Sequence, residues 1–369
     1  MSDSRLRVHV LFEHGQDGRP FGSACLRLLR PFTHPAVARS VRSSCSRDYD
    51  GAAADVVIVD RLWRPDVSVA AVERLAADAR RAGARLVLAF DDNLLDLAAE
   101  RPDWADPERA AAWRRLLAVA DAYLVTTPRL AERYAPLGRP IAVVPNALDE
   151  RLLRRGRARR ALRRLGRALR PTPAACTIGY MGTYTHDDDL RLVLPALRSV
   201  CARHGDAVRV EIVGVISDAA THEQLRGLPV TTVQPTPEQA DYPAFVRWFA
   251  DAFHWDIALA PLRDTPFTRC KSDVKHLDYA AIGAAGVYSR HPAYVESVRQ
   301  GETGWLAADD PAEWAAALER WILHPTERRR VAAAARRYLW RERTLARTAA
   351  RWPAALHHLL AACGAADGR

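Results

Sequence analysis

The chain has 369 residues, 49% of them hydrophobic and 27% charged, with a formal net charge of +10. That length favours two domains over one core, and the apolar content marks a globular chain with ample core material. Runs such as ADVVIVD and WDIALAPL are too short to span a bilayer, so a membrane-spanning protein is not expected.

The opening stretch MSDSRLRVHVLFEHG runs straight into a strand-like segment with no hydrophobic leader, which leads us to expect a cytoplasmic protein. The six cysteines (Cys25, Cys45, Cys176, Cys201, Cys270, Cys363) show no paired spacing, so neither a zinc site nor a disulfide framework is indicated. The positive charge fits an anionic partner such as nucleic acid, a membrane surface or a phosphorylated small molecule, without choosing among them.

In the first half, RVHVLFEHG, ADVVIVDRLW, RLVLAFDD, DAYLVTT and PIAVVPNAL read as strands. Amphipathic stretches such as SVAAVERLAADARRAG and PERAAAWRRLLAVA lie between them at helical spacing. The loop after the first strand holds Gly15, Gly18 and Gly22 around His14 and Arg19, but lacks the dinucleotide fingerprint spacing. A later strand ends on Asp91 and Asp92, where a carboxylate can bind hydroxyls or accept a proton, although paired aspartates are also ordinary turn chemistry.

Residues 151–170 then carry ten arginines, followed by Pro171 and Pro173. This join reads either as a solvated interdomain helix or as a basic stripe for nucleic acid or anionic lipid. The absence of aromatic residues from 150 to 172 argues against stacking on single strands.

The second half repeats the pattern with CTIGYMGT, VRVEIVGV, VTTV, WDIALAPL and AAGVYSR as strands, and helices close the chain. Two such series predict two doubly wound α/β domains with parallel sheets. We place them at 1–150 and 174–340, with 151–173 as an Arg-rich linker and 341–369 as a helical tail. Ligands bind outside the carboxyl ends of parallel strands, which singles out two turns. In IGYMGTYTHDDDL, Gly179 and Gly182 precede Thr183, His186 and an acidic helix start, where backbone amides can meet a phosphate. The triple aspartate 187–189 points three ways on a helix and is not read as a metal site.

The other turn is TRCKSDVKHLDYAAIG. Of the 54 basic residues 52 are arginine, and the two lysines, Lys271 and Lys275, both fall here. Lysine is a compact point charge where arginine is a wide fork. A helix starting near Ser272 or Asp273 places Lys275 in its first turn, where the dipole disfavours a cation unless an anion compensates. An exposed helix with Lys275 paired to Asp278 is the alternative.

These motifs, together with GVYSRHPAYVESVRQGETGWLA, FDDNLLDL and VVPNALD, resemble the retaining nucleotide-sugar glycosyltransferases of the group 1 or family 4 set, over residues from about 85 to 345. The likeness is to members that build bacterial surface polysaccharides. It implies the GT-B fold: two Rossmann-like domains facing each other across a cleft, with C-terminal helices. It also implies a nucleotide-sugar donor on the C-terminal domain and a glycan or lipid-linked acceptor on the N-terminal one. The expected activity is hexosyl transfer with retention, without a metal or other cofactor.

In the family two acids bracket the donor; the ribose-binding one corresponds to Asp278, while the other falls at Cys270. The family's basic pair after the first C-domain strand has no counterpart in GTYTH, so Lys271 and Lys275 become the candidates for the diphosphate. The implied donor contacts are Gly182, Thr183, His186, Arg269, Lys271, Ser272, Lys275 and Asp278; His14 and Asp92 are candidates for orienting the acceptor hydroxyl. Peripheral contact with the inner face of an anionic membrane fits the charge. A nucleic-acid-binding protein and a nucleotide-sugar epimerase are the competing readings.

Overall fold

The strands follow from apolar runs that alternate with amphipathic helices. In the computed structural model, which describes residues 4–100, 106–154, 162, 166, 175–183, 186–214 and 218–367, twelve strands form two parallel six-stranded sheets. The first sheet contains β1 (Leu6–Leu11), β2 (Val41–Ser46), β3 (Val56–Asp60), β4 (Arg85–Phe90), β5 (Ala122–Val125) and β6 (Ile141–Val143), in the order β2-β1-β3-β4-β5-β6. The second contains β7 (Cys176–Met181), β8 (Val208–Val213), β9 (Val230–Val233), β10 (Ile257–Ala260), β11 (Ala285–Ser289) and β12 (Trp305–Ala307), in the order β12-β11-β10-β7-β8-β9. Of the Arg-rich join 151–173, residues 155–161, 163–165 and 167–173 lie outside the described residues, while 151–154 continue the helix that starts at Glu150.

The chain divides into two units. The first holds the described residues up to Asp149, Arg269–Ser272 and the stretch from Thr344 onward; the second holds Glu150–Thr268 and Asp273–Arg343. Thus the C-terminal helices, read from sequence as a tail from 341, belong with the first unit from Thr344.

The inner strands β3, β4, β5 and β10 are almost wholly apolar because helices cover both faces of a parallel sheet. Successive residues of β3 alternate between two cores: Val57 and Val59 join Phe90, Trp113 and Tyr134, while Val56 and Ile58 join Leu28, Leu124 and Trp352. The second core is completed by the helix Arg351–Asp367, whose Trp352, Leu356, Leu359 and Cys363 recur at helical spacing. Burying each of its large apolar side chains is worth about 1.5–3 kcal/mol. The Trp352 indole also donates to Arg27 O at 2.9 Å. In the second unit, Ile257 and Leu259 of β10 face one core, while Ala258 and Ala260 face another rich in aromatic rings.

The sequence reading missed β2 and β12, both at sheet edges. β2 (VRSSCS) buries little beyond Val41, and β12 has three residues, so neither carries the continuous apolar run of a central strand.

Each sheet has one place where the chain leaves a strand and winds the other way: beside β1 and β3 in the first, beside β7 and β10 in the second. Crevices at such points are where doubly wound sheets bind ligands.

Candidate functional site

In the first unit the carboxyl ends of five adjacent strands carry polar residues: Glu13 after β1, Asp60 ending β3, Asp91 and Asp92 after β4, Thr126 after β5 and Asn146 after β6. Arg61 gathers three of the acids. Its Nε donates to Glu13 Oε2 at 2.6 Å, and its Nη1 reaches Asp92 Oδ2 at 3.2 Å and Asp91 Oδ1 at 3.5 Å. Burial works against that charge, but the surrounding carboxylates outweigh it and raise the Arg61 pKa. Arg61 has φ 46°, in the left-handed region where a non-glycine residue is strained.

Deeper in the cluster lie two fully enclosed groups. Asp60, 0% exposed, accepts the Glu13 amide at 3.1 Å through Oδ2, while its Oδ1 finds no hydrogen-bond partner among the described residues. Burial raises its pKa, and the Glu13 carboxylate adds to the effect. The Arg27 guanidinium donates to Leu124 O at 3.2 Å and to Asn146 Oδ1 at 3.4 Å.

Residues 269–272 complete this cluster. Lys271 Nζ donates to Asp92 Oδ1 at 3.0 Å, and Asn146 Nδ2 donates to Ser272 Oγ at 2.8 Å. Thr127 works twice: its Oγ1 accepts Leu130 N at the start of the helix Pro128–Tyr134 and donates to Cys270 O at 3.0 Å. Cys270, 5% exposed, packs in the core beside Phe90 and Tyr134, and burial raises its thiol pKa. The position at which the family resemblance expects an acid is therefore a core position of the first unit. Arg269 is exposed. His14 is half-buried and its Nδ1 pairs with Gly15 O at 2.8 Å.

The second unit builds a separate constellation at the ends of β7 and β10. Gly182 N donates to Val213 O at 3.0 Å, and Thr183 is exposed with its carbonyl accepting His186 N at 2.9 Å. His186 Nδ1 lies 2.8 Å from Asp189 Oδ2, and Asp189 Oδ1 accepts Arg263 N at 2.9 Å. Burial opposes the Asp189 charge, but the His186 contact prevails and keeps its pKa below the usual carboxylate value. The three aspartates take different partners: Asp187 accepts Asp218 N, Asp188 pairs with Arg191 and Arg263, and Asp189 holds His186. Gly179, read from sequence as a ligand approach, instead makes room for the Trp255 indole, which a Cβ would meet at 1.7 Å.

The helix Val274–Ile282 starts after Asp273 and ends on Gly283 in the left-handed region, so Lys275 sits in its first turn. Asp273 makes no capping bond from its side chain; both its oxygens take Arg343, at 2.7 Å each. Lys275 Nζ lies 4.9 Å from the centroid of the Tyr180 ring. Asp278 is half-buried by surface, and its enclosure pushes the carboxyl up to about 7 against the pull of Lys275.

The ten sequence-predicted residues thus divide. His14, Asp92, Arg269, Lys271 and Ser272 belong to the first unit, while Gly182, Thr183, His186, Lys275 and Asp278 belong to the second. The two lysines, read as partners for one diphosphate, have different neighbours. Sequence reasoning missed Glu13, Asp60, Arg61, Arg27 and Asn146. The strand-end argument that singled out Asp92 applies equally to Glu13 and Asp60, each following an apolar strand.

Residues 175–324 match the family described as glycosyl transferases group 1. Sucrose-phosphate synthase of Thermosynechococcus elongatus superposes with a TM-score of 0.66 at 15% identity, covering 97% of this chain and 100% of its own. HepE of Anabaena, crystallised with UDP and glucose, superposes at 0.63 with 13% identity, covering 96% and 100% respectively. A glycosyltransferase of Rickettsia africae gives 0.62 at 9% identity over 97% and 99%. The fold is that of the GT-B glycosyltransferases. By sequence, no curated protein matches the chain. Among the described residues no helix is long and apolar enough to cross a membrane.

Proposed function

We propose that this chain is a glycosyltransferase that moves a hexosyl group, with retention, from a nucleotide-sugar to a glycan or lipid-linked acceptor. The observation that carries the reading is one of position. The stretch matching the glycosyl transferase family, 175–324, contains Gly182, Thr183, His186, Lys275 and Asp278, and its sheet reverses its winding between β7 and β10, beside the Gly182 turn.

In this reading the Asp278 carboxylate accepts the ribose hydroxyls, and Lys275 with the backbone amides near Gly182 meets the diphosphate. Departure of the nucleoside diphosphate builds negative charge on its terminal phosphate oxygens. A preplaced ammonium and amide dipoles stabilise that charge most where water is excluded. Asp92, held by Arg61 and Lys271, presents a carboxylate to the acceptor hydroxyl in the first unit, and His14 is the second candidate there. Lys271 and Ser272, bonded to Asp92 and Asn146, are left out of the donor contacts. The same reading places the enzyme in surface polysaccharide or glycoconjugate synthesis, metal-independent, acting in the cytoplasm or at the inner membrane face.

The test is a panel of UDP-, GDP-, ADP- and dTDP-glucose, read as thermal shift and as release of nucleoside diphosphate. One member should raise the melting temperature by mass action and release its diphosphate faster with added glycan acceptor. A panel with no shift and no release refutes the proposal.

A further inference from the structure

Tyr180, the fifth residue of β7, is 3% exposed and is engaged at both ends of its side chain. Its ring lies beneath the Lys275 ammonium, 4.9 Å from the centroid. Its hydroxyl donates to His186 O at 3.1 Å. Burial, reinforced by the Asp189 carboxylate, holds the phenol well above its ordinary pKa, so the O–H remains a donor. Gly182 stands against the same group: a Cβ there would come within 2.9 Å of the Tyr180 hydroxyl. One buried side chain therefore links the cation in the first turn of the helix Val274–Ile282 with the turn that follows β7.

We infer that Tyr180 is a positioning residue for a nucleoside diphosphate. Its ring holds the Lys275 ammonium in place, and its hydroxyl holds the His186 carbonyl. The inference rests on the donor reading above and extends it to a residue that acts only through its neighbours. A cation over an aromatic face is attracted by the ring quadrupole, and the attraction grows as water is removed. An ammonium keeps its charge at one point above the ring, whereas a planar guanidinium stacks flat and spreads its charge. That difference supplies a reason for lysine at 275 in a chain with 52 arginines.

The experiment measures affinities of UDP, GDP, ADP and dTDP, each beside its free nucleoside, for the full chain and for Tyr180→Leu, Tyr180→Phe and Lys275→Gln. With the diphosphate that binds wild type, Tyr180→Leu should lose about tenfold in affinity while nucleoside affinity changes less than about twofold. Lys275→Gln should show the same selective loss, and Tyr180→Leu should add little in the Lys275→Gln background. Tyr180→Phe keeps the ring and should retain most of the preference for diphosphate over nucleoside. Equal loss of nucleoside and diphosphate would mean a structural role and overturn the inference, as would unchanged diphosphate affinity in Tyr180→Leu. If Tyr180→Leu does not fold, Tyr180→Met, which also removes the ring, takes its place in the cycle with Lys275→Gln: additive losses overturn the link to Lys275. If no diphosphate binds wild type, the donor reading itself has failed, which separates the two.

Discussion

Lys271 and Asp92, 179 positions apart in the chain, meet at 3.0 Å with side chains 22% and 24% exposed. Asp92 also accepts from Arg61, so the carboxylate lies between two cations. A partly exposed pair of this kind is worth modest energy because solvent screens it. We predict that a double-mutant cycle with Lys271→Gln and Asp92→Asn, followed by urea unfolding, gives a coupling of about 0.5–1 kcal/mol. A coupling of zero would mean that the pair contributes nothing to the fold.

Asp278 carries the pH dependence. Its folded-state pKa is raised to about 7, so its contribution to stability is fully present below the unfolded carboxyl value and is lost as pH rises through 7. Donor binding should run the opposite way, because ribose hydroxyls donate to the charged form. Affinity for the nucleotide should rise by up to about tenfold per pH unit below 7 and level off above it. Asp278→Asn should flatten the binding profile and remove this carboxyl's share of the stability profile. A wild-type affinity independent of pH between 5 and 8 would remove Asp278 from the ribose.

The Gly182 turn depends on Gly214. At φ 119° Gly214 adopts a conformation closed to other residues, and a Cβ there would fall 1.7 Å from Gly182 O. Backbone cannot swing aside as a flexible side chain can, so Gly214→Ala should cost more than about 2 kcal/mol and weaken nucleotide binding. Gly227, at φ 79° with open space around it, provides the control: alanine there should cost about 1 kcal/mol and leave binding intact. Equal costs at the two positions would show that the contact with Gly182 does not matter.

Arg343 and Asp273 form a buried two-bond ion pair at the start of the helix that bears Lys275. Burial alone would raise the Asp273 pKa, yet Arg343 holds it below the usual carboxylate value. The stability this confers is present above the unfolded carboxyl pKa and is lost as pH falls through the lower folded value. Arg343→Met should therefore cost about 3–5 kcal/mol near neutral pH, by stranding a carboxylate. The gap from wild type should close in acid, and a gap that persists there would mean that packing rather than charge was lost.

What the sequence by itself determined is local. Apolar runs of strand length, amphipathic helices and a repeat of the pattern specified two parallel-sheet units, because side-chain period follows directly from backbone geometry. The same local signals marked the turn at Gly182 and the helix after Asp273. Tertiary structure alone decided the partners. Which strands are neighbours is set by long-range packing, so the gathering of Glu13, Asp91 and Asp92 around Arg61 has no signature in any one segment. Edge strand β2 escaped because an edge need not be apolar throughout, and β12 because three residues are too few to show a period. Cys270 looked like a missing acid until the fold placed its thiol in the first unit's core. Lys271 and Lys275 looked like one pair because they are four residues apart. The helix begins between them, and the structure gives Lys271 to Asp92 and Lys275 to Tyr180: sequence proximity fixes a distance along the chain, while burial and charge choose the contact.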